Sequence, residues 1–136
     1  MGVLTVVLRK LSNLKDTDGA MNHPDPYVIF HLEQDNWTID KNYGKQTSTV
    51  KNGTCNPTYG ETFTFEDVKS LNNLVLECKV YDQDFGRDDA MGQLKIKLER
   101  ALTPGEEREF DEKLDDSGKG LFSRKARIHL KITYRE

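Results

Sequence analysis

Leu74, Leu76, Cys78 and Val80 alternate with Val75, Glu77 and Lys79, and the run then breaks into Tyr81-Asp82-Gln83-Asp84-Phe85-Gly86-Arg87-Asp88-Asp89-Ala90-Met91-Gly92. A period of two puts the four apolar side chains on one face, which predicts a strand with one buried side. The acids therefore stand where a strand becomes a loop. Asp82, Asp84, Asp88 and Asp89 fall within eight positions. At about 4 Å and an effective dielectric near 20, each like-charge pair costs roughly 4 kcal/mol. Acids concentrated in this way call for a cation. Hard oxygen donors without a neighbouring Cys or His favour calcium over zinc. A solvated acidic turn is the plain alternative. An EF-hand loop is excluded by spacing: counted from Asp82, the sixth residue is Arg87 instead of Gly and the twelfth is Gln93 instead of Glu.

The same alternation recurs along the chain. Leu4, Val6 and Leu8 mark a first strand, and Pro26 to Leu32 a second, with its proline at the edge where a missing N–H does no harm. The intervening segment carries Asp16, Asp18, Gly19, Asn22, Pro24 and Asp25, which is acidic loop chemistry. Residues 35–44 read as a long polar connection and Gln46 to Val50 as a short β-prone segment. Asn52-Gly53 and Asn56-Pro57 signal turns. Phe63 and Phe65 point inward from Glu61–Phe65. Gln93 to Leu98 alternates with its lysines outward, Glu109-Phe110-Asp111 is a further short segment, and Ile128, Leu130, Ile132 and Tyr134 share a face of the last strand. Seven or eight short strands with no convincing helix predict two antiparallel sheets packed face to face.

The 136 residues suit one domain over 1–136 with a single core. A net charge of −3 gives no footing for nucleic-acid binding. Cys55 and Cys78 cannot make a disulfide framework, Cys78 reads as a small core residue, and a reduced, cytoplasmic setting is expected. No apolar run reaches the length of a membrane span, and Arg9 and Lys10 interrupt the only candidate signal segment. His23, His31 and His129 show no metal spacing, and no Ser-His or Cys-His arrangement suggests a nucleophile, so no enzymatic activity is expected.

Taken in order, several motifs resemble the C2 domain, the calcium- and phospholipid-binding β-sandwich. They are the opening Leu4-Thr5-Val6-Val7 strand leading to Leu14, then Asp25-Pro26-Tyr27-Val28, then Asn56-Pro57-Thr58-Tyr59-Gly60-Glu61-Thr62-Phe63-Thr64-Phe65, and Val80-Tyr81-Asp82-Gln83-Asp84 through Gly92. The resemblance implies an eight-stranded antiparallel β-sandwich. Because the chain starts on that strand and ends on Ala126–Tyr134, it implies the permuted, phospholipase-like type II topology. It also implies that the two acidic loops meet at one end of the sandwich. The calcium ligands implied are Asp18, Asp25, Asp82, Asp84 and Asp89, with Asp16 and Asp88 as alternates. The first loop is one residue longer than the family pattern and the third one residue shorter. Five carboxylates suit two Ca²⁺ ions. Met21 and Phe85 are the apolar residues nearest the loop tips and are the expected membrane contacts. Lys41, Lys45 and Lys51 stand where some C2 domains carry a basic lipid patch. The implied function is calcium-dependent recruitment to an anionic phospholipid surface as a peripheral protein. The alternative is a calcium-independent scaffold with a protein partner.

Overall fold

The computed structural model describes residues 1–16, 23–38, 40–115 and 126–136. Eight strands run in the order β1 (Gly2–Ser12), β2 (Pro26–Gln34), β3 (Lys41–Thr47), β4 (Thr58–Val68), β5 (Leu74–Asp82), β6 (Asp89–Lys97), β7 (Glu107–Lys113) and β8 (Arg127–Arg135). They form two four-stranded antiparallel sheets, ordered β4-β1-β8-β7 and β3-β2-β5-β6. The last strand lies between the first and the seventh, so the two ends of the chain are neighbours. This is the permuted order that the resemblance implies. Val6 of β1 stands opposite Phe63 of β4 on one side and Ile132 of β8 on the other.

The alternation seen in the sequence is the alternation of burial. Leu74, Leu76, Cys78 and Val80 are fully buried, as are Leu4, Val6, Leu8, Val28, Phe30, Leu32, Ile128 and Ile132. Each such side chain contributes roughly 1.5–3 kcal/mol on burial, so these two inner faces hold the sandwich shut. Phe30 of one sheet meets Phe63 of the other with ring centroids 4.9 Å apart. At the start of β1, a Cβ on Gly2 would lie 2.5 Å from Cζ of Tyr134. Only glycine lets the buried Tyr134 ring pass there and donate its hydroxyl to the carbonyl of Val68 at 3.0 Å.

Three elements differ from the sequence expectation. The third strand is Lys41–Thr47 and not Gln46–Val50. It is an edge strand with no buried residue, broken by a register shift opposite His31–Glu33 and by Gly44 at φ 97°. Such a strand has no apolar alternation to read; its main chain holds it. The sixth strand begins at Asp89, four residues before Gln93, where the alternation starts. After Lys97 the chain makes one helical turn, α1 (Leu98–Ala101), in which Leu98 is buried.

The β1–β2, β3–β4 and β5–β6 connections leave the same end of the sandwich. Main-chain hydrogen bonds tie them together: Leu14 N–H to the Cys55 carbonyl at 3.0 Å, Thr54 N–H to Pro24 at 2.9 Å, and Gln83 N–H to Asp25 at 3.0 Å.

Candidate cation and membrane site

Asp82 is the centre of this end. It closes β5 on the inward-facing register, so its carboxylate is carried in the row of Cys78 and Val80 and is almost fully buried. One oxygen, Oδ1, accepts the main-chain N–H of Asp25 at 2.8 Å. Asp25, just before β2, accepts the N–H of Gly53 on its own Oδ1 at 2.6 Å. Asp89 stands directly opposite Asp82 in the β5–β6 ladder, on the same face. The turn between them is closed from within: Asp84 accepts the N–H of Phe85 at 2.7 Å, and Asp88 Oδ1 accepts the N–H of Asp84 at 3.1 Å. Asp25, Gln83, Asp84, Phe85, Gly86 and Asp88 line an open cleft of about 370 Å³. Asp25, Asp82, Asp84, Asp88 and Asp89 are thus brought together, although 57 positions separate Asp25 from Asp82. Asp18 and Met21 lie outside the described residues.

Among the described residues, none of these five carboxylates is paired with a Lys, Arg or His. The donors that meet in the cleft are all oxygens. A set of hard anionic oxygens, one of them buried and lacking a counter-charge, fits Ca²⁺ and does not fit a thiophilic ion.

Tyr27 was not anticipated. Its hydroxyl donates to Asp88 Oδ2, and its ring stacks on Tyr81 at 5.7 Å between centroids. Burial, then the hydrogen bond to Asp88, pushes the phenol up to about 12. The same hydrogen bond, with that from Asp84 N–H, holds the Asp88 carboxyl below the usual carboxylate range. The pairing spans 61 positions, so no local pattern could reveal it.

Phe85 is fully exposed at the apex of the β5–β6 turn, beside Gly86 at φ 84°. The three lysines of the expected basic patch lie apart. Lys41 pairs with Gln34 on the inward register and lies near Trp37, at the opposite end of the sandwich. Lys45 pairs with His31 on the outward register, because the register shift lies between the two lysines. Lys51 is at the loop end, its ammonium 5.7 Å from the centre of the Tyr59 ring. The outer face of the β2-β5-β6 sheet carries Lys79 and Lys95 too, but Glu77 lies 3.5 and 3.8 Å from their ammonium groups.

The family model for the C2 domain matches residues 2–114. The chain belongs to the C2 domain family. It is 38% identical over 98 residues to human Synaptotagmin-1, a match covering 70% of this chain and 22% of the relative. The chain therefore spans about a fifth of the length of the curated relatives it matches. A C2 domain of plant Extended Synaptotagmin 1 superposes with a TM-score of 0.81 at 26% identity, over 98% of this chain and 94% of that one. A calcium-bound structure of two C2 domains of Extended-Synaptotagmin 2 superposes with a TM-score of 0.66 at 23% identity, over 98% of this chain and 45% of that one, and shows the shared fold. In both structural comparisons the matched unit is a C2 domain.

A second cluster at the loop end of this C2 domain was also missed. Asp16, one of the alternate ligands, does not join the rim contacts described above. Its Oδ1 lies 2.6 Å from His23 Nδ1 and accepts the Cys55 thiol at 2.9 Å. His23 Nδ1 is 3.5 Å from Cys55 Sγ. The histidine–cysteine approach resembles a nucleophile and its base, but burial and the neighbouring carboxylate push the thiol up to about 11. A thiol that stays protonated at neutral pH is a poor nucleophile. Among the described residues, no helix is long and apolar enough to cross a membrane.

Proposed function

We propose that this C2 domain binds anionic phospholipid membranes in a calcium-dependent manner, without enzymatic activity of its own, as a cytoplasmic protein recruited peripherally. The observation that carries this reading is the buried Asp82 carboxylate, bonded to the main chain of Asp25, which with Asp84 and Asp88 lines a cleft that holds no cationic side chain among the described residues. The proposed ligands are Asp18, Asp25, Asp82, Asp84 and Asp89. When bound, Ca²⁺ lowers a rim charge of about −5 to about −1 for two ions and offers open coordination positions to lipid phosphate.

The chain's own residues do the rest. Asp25 holds the first and third acidic loops at fixed separation, its N–H donating to Asp82 Oδ1 and its carbonyl accepting the N–H of Gln83. Tyr27 and Asp88 brace the turn that carries Phe85. Phe85 presents an apolar ring beyond the acids, where it enters the headgroup region once repulsion is relieved. The calcium-bound state of Extended-Synaptotagmin 2 supports the reading by family likeness.

Co-sedimentation with vesicles tests it. Vesicles containing phosphatidylserine are expected to bind the domain with Ca²⁺ and release it with EGTA, and pure phosphatidylcholine vesicles to bind it weakly. Binding indifferent to Ca²⁺ and EGTA would favour the scaffold alternative.

A further inference from the structure

We propose that Asp16, His23 and Cys55 form a separate site for a thiophilic divalent cation of the zinc class, with one coordination position left to water. Three chemically different donors, a carboxylate oxygen, an imidazole nitrogen and a sulfur, lie with their ligand atoms within 4.8 Å of one another. Tetrahedral zinc with ordinary bond lengths needs ligand–ligand edges of about 3.4–3.6 Å. The Sγ to Nδ1 edge already measures 3.5 Å. The two edges to Asp16 Oδ1, 2.6 and 2.9 Å, are short because that oxygen is hydrogen-bonded to both partners. Replacing those protons by an ion requires the half-exposed carboxylate to swing out by less than about 1 Å, while nitrogen and sulfur stay in place.

The site is also held from behind by the main chain. Leu14, two residues before Asp16, donates its N–H to the carbonyl of Cys55 itself, and Thr54 donates to Pro24, next to His23. Asn13 N–H adds a bond to Asn56 Oδ1 at 2.9 Å. All three ligand-bearing segments are therefore linked to one another before an ion arrives. Low cost of ordering is what separates a site from a chance meeting of side chains. None of the three donors is fully buried, so an ion has access.

The proton and charge balance is simple. His23 binds as the neutral ring through Nδ1: the proton that Nδ1 gives to Asp16 Oδ1 leaves to solvent, and the ring's single remaining proton is carried on Nε2. Asp16 is already ionised. The Cys55 thiol gives its proton to solvent, and the ligand charge of −2 is neutralised by the ion. Thiolate and imidazole discriminate against Ca²⁺, which takes oxygen ligands. The cluster and the aspartate rim therefore select different ions at the same end of the sandwich.

Cadmium reports the bond directly, because cadmium–thiolate absorption appears in the ultraviolet only when sulfur ligates. Titration of the calcium-free domain with Cd²⁺ is expected to give this band at one equivalent, with Zn²⁺ displacing it and millimolar Ca²⁺ leaving it. Cys55→Ser and Cys55→Ala are expected to lose the band while keeping the strand signal in circular dichroism. His23→Gln is expected to weaken Cd²⁺ binding roughly 100-fold. The paired Asp82→Asn and Asp84→Asn change is expected to leave it unaltered. Absence of the band in the wild type overturns the proposal. So does a band that survives both Cys55 changes, or one that Ca²⁺ removes as it fills the rim.

Discussion

The aspartate rim and the Asp16–His23–Cys55 cluster share one end of the sandwich and are assembled in opposite ways. The rim is carried largely by one continuous stretch, Asp82 to Asp89, with Asp25 fastened to it through its N–H, which donates to the Asp82 carboxylate. Its donors are all oxygen, and among the described residues its charge has no internal counter-ion. The second cluster draws one ligand from each of three places and satisfies its carboxylate by internal hydrogen bonds, since Asp16 accepts from both partners. An uncompensated set of like charges awaits a cation. A compensated set releases its protons only to an ion that prefers sulfur and nitrogen. The contrast teaches that proximity alone does not define an ion's identity; donor type and the existing hydrogen bonds do.

The largest expected effect breaks one site and spares the other. The paired change Asp82→Asn with Asp84→Asn should abolish calcium-dependent sedimentation with phosphatidylserine vesicles, because amide oxygens are neutral, weaker ligands. Relief of repulsion at the rim should leave the calcium-free variant melting no lower than the calcium-free wild type. Vesicle pelleting in Ca²⁺ and EGTA, with a melt in EGTA, checks both halves. Early melting would mean that these aspartates hold the fold, through the Asp82–Asp25 bond, more than they hold an ion.

Those two aspartates were legible because Asp82 and Asp84 follow a clean alternation whose inward face is now seen buried through Val80. Phe63, Phe65 and the Ile128–Tyr134 row were legible for the same reason: a period of two is a local signal of a buried face. Strand β3 was misplaced because an edge strand with no fully buried residue, whose one large apolar side chain, Tyr43, is only partly buried, has no alternation to read. His23 and Cys55 lie 32 positions apart and carry no spacing signature; only the pairing of Leu14 and Pro24 with the 54–55 segment brings them together. Local pattern reveals what one strand does, whereas a contact between two loops depends on topology.

Next in size is the response to ions. Saturating Ca²⁺ should raise the melting temperature, since an ion bound only to the folded chain adds about 2.7 kcal/mol at a hundredfold excess over its dissociation constant. Mg²⁺ should add far less, because it demands compact octahedral geometry and keeps its waters. Equal shifts from the two ions would blur the distinction between an oxygen site built for Ca²⁺ and a merely acidic rim. Differential scanning calorimetry in either ion, with EGTA as reference, makes the comparison.

A smaller effect separates ion binding from membrane contact. Phe85→Ala should weaken calcium-dependent vesicle partitioning about tenfold, the loss expected for withdrawing part of a phenyl ring from an apolar phase. Ca²⁺ affinity without lipid should stay nearly constant, as no ring atom is a ligand. Isothermal titration without vesicles and partitioning with them read the two quantities independently. Unchanged partitioning would place the apex outside the membrane.

The smallest effect asks which of two adjacent aspartates serves the rim. Both oxygens of Asp88 are engaged, Oδ1 by the N–H of Asp84 and Oδ2 by the hydroxyl of Tyr27. Asp89 stands across from Asp82 with no such engagement among the described residues. This geometry supports the proposed roles of Asp88 as a brace and Asp89 as a ligand. Tyr27→Phe removes the brace and keeps the ring that stacks on Tyr81. It should lower Ca²⁺ affinity only a few-fold, through loosening of the turn, and Asp89→Asn should lower it far more. The sign of the Tyr27→Phe effect decides the matter. Were Asp88 the ligand, freeing Oδ2 from the phenol would make Ca²⁺ bind more tightly, and Asp88→Asn would then be the more damaging of the two aspartate changes.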